Sequence, residues 1–266
     1  MINSSVDLSI IISIYKKNNY LELVLESLKQ QTCKNFEVII AEDNDEEELK
    51  KFIKQKRKIY NFNIKHVYQE DKGFRKSRIL NEAIKKAESN FLIFIDSDCI
   101  LHKKFLEEYT KRKSNNICLF SRRVLLDSKL TNVLLEEKNI NYLSFMKILL
   151  SKSSHIEEGL YFPFDFNLIK RKTVMIGSNF GVSKDIIYKV NGFDEDYEDY
   201  GFEDTDLQWR LEKIGVEFKS LRNKAIQYHL FHGRNGQKEA FNKNKKIYKK
   251  KKEKGDVFCQ NGLIKK

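Results

Sequence analysis

The sequence predicts an α/β fold with a mostly parallel central sheet flanked by helices, and three observations carry that expectation. Short uncharged apolar runs alternate with amphipathic stretches through the first half of the chain. Those runs are rich in β-branched residues, as strands buried on both faces are. The most apolar run stops at Asp96-Ser97-Asp98, where an open α/β sheet would present its chemistry.

The elements follow in order. Residues 8–15 read as the first strand, and residues 18–31 set Leu21, Val24, Leu25 and Leu28 on one helical face. Residues 36–41 form the second strand. An acidic segment from Asp45 opens the second helix, where carboxylates suit the N-terminal dipole. The third strand covers 63–69, and the third helix, 73–89, turns Ile79, Leu80, Ala83 and Ile84 inward. Residues 91–95 are the fourth strand. Alternation of this kind implies right-handed crossovers and a parallel sheet.

After about residue 126 the rhythm changes. Residues 127–172 read as an insertion, packed on the sheet or closing as an acceptor-side lid, with helices near 132–138 and 142–152. Then come the segment 173–183, a glycine-containing loop at 191–201, a helix beginning near Glu203 and a strand around 216–221. A Lys-rich helix at 237–254 closes the chain. No repeat and no Gly/Ser- or Pro-rich linker interrupts it, which favours one composite domain.

Composition narrows the classes. The chain has 266 residues, 41% hydrophobic and 33% charged with one Pro, which excludes disordered and collagen-like sequences. Of the net charge of +12, +8 falls in residues 236–266, where eleven lysines face three acids. The apolar run near the start lacks a positive region before it and a cleavage site after it. Nothing approaches about 18 uninterrupted apolar residues. Cys33, Cys99, Cys118 and Cys259 form no CxxC pair, so reduced thiols in the cytoplasm are expected.

Several constellations bear chemistry. Asp96 and Asp98 share one side of an extended segment and suit a divalent cation that bridges a diphosphate, although a solvated acidic turn would read alike. In Gly201-Phe202-Glu203-Asp204-Thr205-Asp206-Leu207, acids at a helix start suit either dipole compensation or a general base. The HxxH of His229 and His232 fits a metal pair, or histidines that pack and cap. Residues 71–78 (Asp-Lys-Gly-Phe-Arg-Lys-Ser-Arg) put four cations around a glycine, as a phosphate site or a solvated basic turn would. Asp43 can accept from a base or ribose, or cap the next helix. No P-loop and no GxGxxG is present, against a nucleoside triphosphatase or a dinucleotide enzyme.

Residues 10–15, Asp43, residues 73–78 and Asp96-Ser97-Asp98 together resemble the nucleotide-sugar half of family 2 glycosyltransferases, which have the GT-A fold. Gly177-Ser178-Asn179-Phe180-Gly181, Val190-Asn191-Gly192-Phe193-Asp194 and the Gly201 segment with Arg210 are similar to a second signature. It belongs to the C-terminal half of β-1,4-galactosyltransferases, polypeptide N-acetylgalactosaminyltransferases and chondroitin-type polymerases. The resemblance implies one GT-A domain over 1–235. Residues 1–126 would be the nucleotide-sugar half, 127–172 an insertion, 173–235 the acceptor half, and 236–266 a Lys-rich tail.

The same resemblance implies roles. Asp98 would ligate Mn²⁺ or Mg²⁺, with Asp96 near the ribose or the metal and His232, ahead of His229, as a further ligand. Asp43 would lie against the uracil, and Ser13 and Tyr15 would line the nucleoside pocket. Phe74, Lys76 and Arg78 would embrace the uridine and phosphates, with Ser97 beside them on the nucleotide-sugar side. Asp204 matches the base that deprotonates the acceptor hydroxyl, and Glu203 would help hold the acceptor. Tyr200 and Phe202 stand where eukaryotic relatives place Trp, so an aromatic platform is kept but acceptor identity does not carry over. Lys76 replaces a more usual Arg and cannot make a bidentate phosphate contact.

The implied activity is inverting, metal-dependent transfer from UDP-Gal, UDP-GalNAc or UDP-GlcNAc to a saccharide or lipid-linked saccharide, in surface polysaccharide or lipopolysaccharide synthesis. Lys243, Lys245, Lys246 and Lys249 to Lys252, with Phe241, Ile247 and Tyr248 interspersed, suit either an anionic membrane surface or a solubilising end. The first of these would make the enzyme peripheral on the inner face of a membrane. Two other classes compete. A basic nucleic-acid-binding protein is disfavoured by charge confined to one end and the lack of a helix-turn-helix, zinc or RNP-type pattern, so no nucleic acid partner is expected. A nucleotidyltransferase leaves Glu203-Asp204 and His232 without a role.

Overall fold

A computed structural model of the chain describes residues 6–164, 174–233 and 238–265. The first half runs β1 (Leu8–Ile14), α1 (Asn18–Lys29), β2 (Phe36–Glu42), α2 (Glu47–Lys56), β3 (Asn63–Tyr68), α3 (Lys76–Lys86) and β4 (Phe91–Asp96). It continues through β5 (Cys99–Leu101), α4 (Phe105–Arg112), β6 (Ile117–Phe120), β7 (Arg123–Leu125), α5 (Ser128–Glu137) and α6 (Phe145–Leu149). The second half adds β8 (Asn179–Ser183), α7 (Lys184–Lys189), α8 (Glu203–Lys213), β9 (Glu217–Ser220), β10 (Gln227–His229) and α9 (Lys238–Lys254).

The central sheet has the order β3-β2-β1-β4-β8-β6-β9. Only β8 runs against its neighbours β4 and β6; every other pairing is parallel. Period-two alternation divides the core. Ile10, Ile12 and Ile14 join Leu21, Val24, Leu25 and Leu28 of α1 and Phe105, Leu106 and Tyr109 of α4. Ile11, Leu92 and Phe94 face the other way, onto Ile79, Leu80, Ala83 and Ile84 of α3 and Leu207 and Leu211 of α8. Each such buried aliphatic side chain contributes about 1.5–3 kcal/mol. With helices on both faces, the sheet is a rigid frame.

A second sheet, β5-β10-β7, lies at its edge. Residues 127–172, expected as an insertion packed on the sheet or as an acceptor-side lid, join the molecule at this point. Leu130, Leu134, Ile140 and Ile148 pack on Ile100 and Val124 of the small sheet, on Leu230 just after β10 and on Leu23 of α1, rather than on the central sheet. Residues 165–173 of that stretch lie outside the described residues. The helix expected over 142–152 is a short 3-10 turn at Ile140–Tyr142 followed by α6, because Ser144 caps a fresh start with its side chain accepting from Lys147 N. The third helix starts at Lys76, not at residue 73. Gly73 has φ +82° and Arg75 is not helical, so the basic stretch before Lys76 is a loop.

The Lys-rich end is also packed. Asn244 of α9 is fully buried, and the rings of Phe241 and Tyr248 lie 4.9 and 5.4 Å from that of Phe202. Lys251 pairs with Asp194 and Asp196. Beyond the helix, Leu263 N and Ile264 N donate to the backbone and side chain of Asn191. Two of the three apolar residues expected to reach a membrane thus rest on the protein. No described helix is long and apolar enough to cross a membrane.

Candidate active site

The site lies where β1, β2 and β4 end. Ser13 Oγ donates to Asp96 Oδ1 at 2.7 Å across the β1–β4 pairing, and Lys76 Nζ reaches the same oxygen at 2.6 Å from the first turn of α3. Asp96 thereby faces a hydroxyl and an ammonium, and it is not among the clustered candidate ligands. Ser97 is buried, with its N–H on the Ser13 carbonyl.

Asp98 faces the small sheet. β10 runs antiparallel to β5, placing His229 opposite Cys99, and Leu230 N donates to Asp98 O at 2.9 Å. Tyr20 Oη donates to Phe231 O, and Phe231 N to Thr131 Oγ1, which fixes the chain that presents His232. His232 Nε2 then lies 3.1 Å, and His229 Nε2 3.6 Å, from Asp98 Oδ2. The ligand atoms of Asp98, His229 and His232 all fall within 4.8 Å of one another. His229, the second choice in the sequence, belongs to the cluster.

Electrostatics prepares these groups. Burial would raise the Asp98 carboxyl, but the hydrogen bond from His232 and the charges of His229 and His232 together outweigh it and hold the acid well below the usual carboxylate range. Burial pushes His229 down to about 4, leaving a neutral imidazole with a lone pair. The bond to Asp98 raises His232, and its Nδ1 lies 3.1 Å from Gly233 O. A cation at His232 Nε2 would replace the proton there.

The remaining residues expected on the nucleotide side divide. Asp43 is buried at the end of β2; Gln69 Nε2 donates to its Oδ1 at 2.5 Å and Arg75 N to its Oδ2 at 2.6 Å. Each oxygen keeps a second lone pair, but the carboxylate already shapes the basic loop. Burial, only partly offset by Gln69, raises its pKa. Tyr15 is exposed and linked through its hydroxyl to Lys16 and Asp71. Arg78 is exposed, and Phe74 gives its carbonyl to Asp199 N at 2.9 Å. Of the expected basic cluster, Arg75 is turned back to the Glu70 carbonyl and Lys72 pairs with Glu70.

Opposite stands the start of α8. Asp206 and Arg210, both 1% exposed, form a buried ion pair at 2.7 Å, and Arg210 Nη1 also donates to Val190 O and Gly192 O. The third acid in this motif, Asp206, is therefore structural. It fastens α8 to the 190–197 loop, with Tyr197 Oη donating to Asp206 Oδ1. Asp204 Oδ2 accepts from Gly177 N at 3.0 Å, and its Oδ1 from Thr205 N at 2.6 Å. Glu203 Oε2 is enclosed and has no hydrogen-bond partner among the described residues. Burial, then the charge of Asp204, pushes Glu203 up to about 7 against the pull of Lys76. Tyr200, Gly201, Phe202, Glu203, Asp204, Thr205 and Phe241 line a cavity of about 250 Å³.

Lys76 joins the two sides. Despite burial, the charge of Asp96 and then that of Glu203 hold it above the ordinary lysine value. The residue that sequence reasoning missed is Phe241, a cavity wall contributed by the tail. No periodicity in a lysine run marks it.

A twisted α/β sheet whose strand ends meet a helix-borne pair of acids, with a carboxylate–imidazole cluster beside them, is the architecture of a glycosyltransferase of the GT-A fold. Residues 9–190 match glycosyl transferase family 2, and the chain belongs to that family. Residues 164–233 match a model described as the N-terminal domain of galactosyltransferase. The chain is 26% identical over 238 residues to a chondroitin synthase of Escherichia coli, covering 84% of this chain and 34% of that protein. It thus spans about a third of that relative's length. Two solved structures share the fold. One is the mannosyltransferase PcManGT from Pyrobaculum calidifontis in complex with GDP-Man and Mn²⁺ (TM-score 0.59, 13% identity, 86% of this chain and 58% of that chain). The other is GalNAc-T7 with UDP, GalNAc and Mn²⁺ (TM-score 0.61, 14% identity, 86% and 45%). Family membership sets aside the nucleic-acid-binding and nucleotidyltransferase readings.

Proposed function

We propose that this glycosyltransferase moves a hexose or N-acetylhexosamine from a UDP-sugar to a saccharide hydroxyl with inversion, in the synthesis of a surface polysaccharide. One observation carries the reading: Lys76 Nζ lies 2.6 Å from Asp96 Oδ1 on the strand side and within electrostatic reach of Glu203 and Asp204 on the helix side. This supports a reading in which donor-side and acceptor-side groups face one another across Lys76. The likeness to chondroitin synthase supports a polysaccharide product, and the fold shared with GalNAc-T7 in complex with UDP is in keeping with a UDP-sugar.

A divalent cation suits Asp98, His229 and His232, and two imidazoles with one carboxylate favour Mn²⁺ over the oxygen-seeking Mg²⁺. When bound, such an ion neutralises charge on a leaving diphosphate. The protein's own groups do the rest. Asp204 takes the proton of the acceptor hydroxyl as its oxygen bonds to the anomeric carbon, and the bonding pair to the phosphate oxygen departs with UDP. Glu203, near its midpoint at neutral pH, donates or accepts a hydrogen bond at the acceptor. Tyr200 and Phe202 offer ring faces to the pyranose. One displacement from one side inverts the anomeric centre.

The test is a donor hydrolysis and transfer screen across UDP-, GDP- and dTDP-sugars with Mn²⁺ or Mg²⁺, with and without chelator. Turnover of a UDP-sugar that chelator stops and Mn²⁺ restores, giving a β-linked product from an α-linked donor, is the expected result. Retained configuration would overturn the single-displacement role of Asp204, and full activity in excess chelator would overturn the cation site.

A further inference from the structure

Helix α9 lies beyond both family matches, which end at residues 190 and 233. It nonetheless touches the catalytic side of the molecule. Its one buried side chain is Asn244, whose amide donates to Glu198 O at 2.8 Å and Gly201 O at 2.9 Å and stands 3.4 Å from Tyr200 O. Those three carbonyls belong to the turn immediately before Glu203 and Asp204.

That turn is strained. Asp199, Gly201 and Phe202 have φ of +60°, +98° and +73°, and a left-handed conformation is unusual for a residue as bulky as Phe. Such a conformation persists only where its surroundings over-determine it. Here they do so from two sides. Asp199 N donates to Phe74 O of the donor half. On the other side, α9 lays Phe241 and Tyr248 against the Phe202 ring. Without the Asn244 donors, converging carbonyl oxygens would face one another in a half-buried place. A Cβ on Gly201 would stand 3.0 Å from Phe241 Cδ2, so helix and turn are in close contact.

We propose that Asn244 is a positioning residue: it clamps the 198–202 turn so that Glu203 and Asp204 face the acceptor cavity, which makes α9 part of the catalytic apparatus. The proposal rests on the reading of Asp204 as the base. A displaced general base forfeits rate steeply, since about 1 Å of misplacement can cost 10²-fold.

The experiment uses the full chain with Asn244→Asp, which keeps shape but replaces the donors by an oxygen, and Asn244→Ala. Transfer kcat is expected to fall roughly tenfold to hundredfold while UDP binding stays within about twofold of wild type. Amide hydrogen exchange over residues 199–204 should accelerate. Lys251→Ala, on the same helix but paired with Asp194 and Asp196, serves as the comparator and should keep kcat within about twofold. If the Asn244 variants do not fold, Gly201→Ala presses on the same contact from the turn and should give the same pattern. Folded Asn244 variants, or Gly201→Ala in their place, with wild-type kcat and unchanged exchange at 199–204 overturn the proposal. So does an equal loss of kcat in Lys251→Ala, which would mean general loosening of the helix. The exchange readout is independent of which acid is the base. If Asp204→Asn kept full transfer while exchange still accelerated and kcat still fell in Asn244→Asp, the base assignment would fail and the clamp would stand.

Discussion

Asp98 and His229 are held by hydrogen-bonded strands, whereas Glu203 and Asp204 stand behind a turn whose shape is imposed from outside. On the first side, register alone brings the groups together: β10 pairs with β5, and His229 arrives opposite Cys99, next to Asp98. On the second, the carbonyls of the turn must find donors on α9, and α8 must be anchored through Arg210 to Val190 and Gly192. Strand ends give a site that follows from topology. A strained turn gives one that depends on distant side chains.

The sharpest separation of the two sides comes from Asp204→Asn. Loss of a positioned general base costs about 10²–10⁴-fold in rate, so transfer should nearly vanish while Mn²⁺ and UDP binding, measured calorimetrically, stay intact. A variant that retained a tenth of wild-type transfer would remove Asp204 from the role of base. Next in size is Arg210→Met. It removes the cation from the buried Asp206 carboxylate and a donor from two carbonyls, and breaking a buried pair costs about 3–5 kcal/mol. Denaturant titration should show that loss, and the remaining folded protein should still bind Mn²⁺ at the proposed site, because Arg210 touches neither β5 nor β10, which set Asp98 and His229.

The smallest effect is a pH dependence. Folding raises Glu203 from 4.5 to about 7, so the folded chain retains a proton that the unfolded chain gives up between those values. Stability therefore falls as pH rises through that window and stays lower above it. Glu203→Gln should abolish the loss, raising stability at pH 8 by up to about 3 kcal/mol and leaving it unchanged at pH 4. Equal melting-temperature differences at the two pH values would show an unperturbed carboxyl.

Legibility in the sequence follows the same division. The central strands were readable because each is a short β-branched run, and Asp96-Ser97-Asp98 was readable because it ends one. The short strands β6, β7 and β10 were not, since three or four residues carry no distinguishable period. His229 and His232 stood out as a pair, yet only the pairing of β10 with β5 shows why both reach Asp98. The motif Glu203-Asp204-Thr205-Asp206 offered three similar acids, and burial against Arg210 separates the third from the other two. Asn244 was invisible: an amide in a lysine run looks solvated, and its burial comes from a turn more than forty residues earlier in the chain.

The brevity of β10 has a consequence for how this protein tolerates change. Its three residues act as a gauge between the end of the chain's first half and its second. A single insertion or deletion there would turn the ring of Tyr228, not that of His229, toward the acid beside β5. Drift in length is therefore better accommodated in the long stretch between β7 and β8 than in these few positions, whatever letters occupy them.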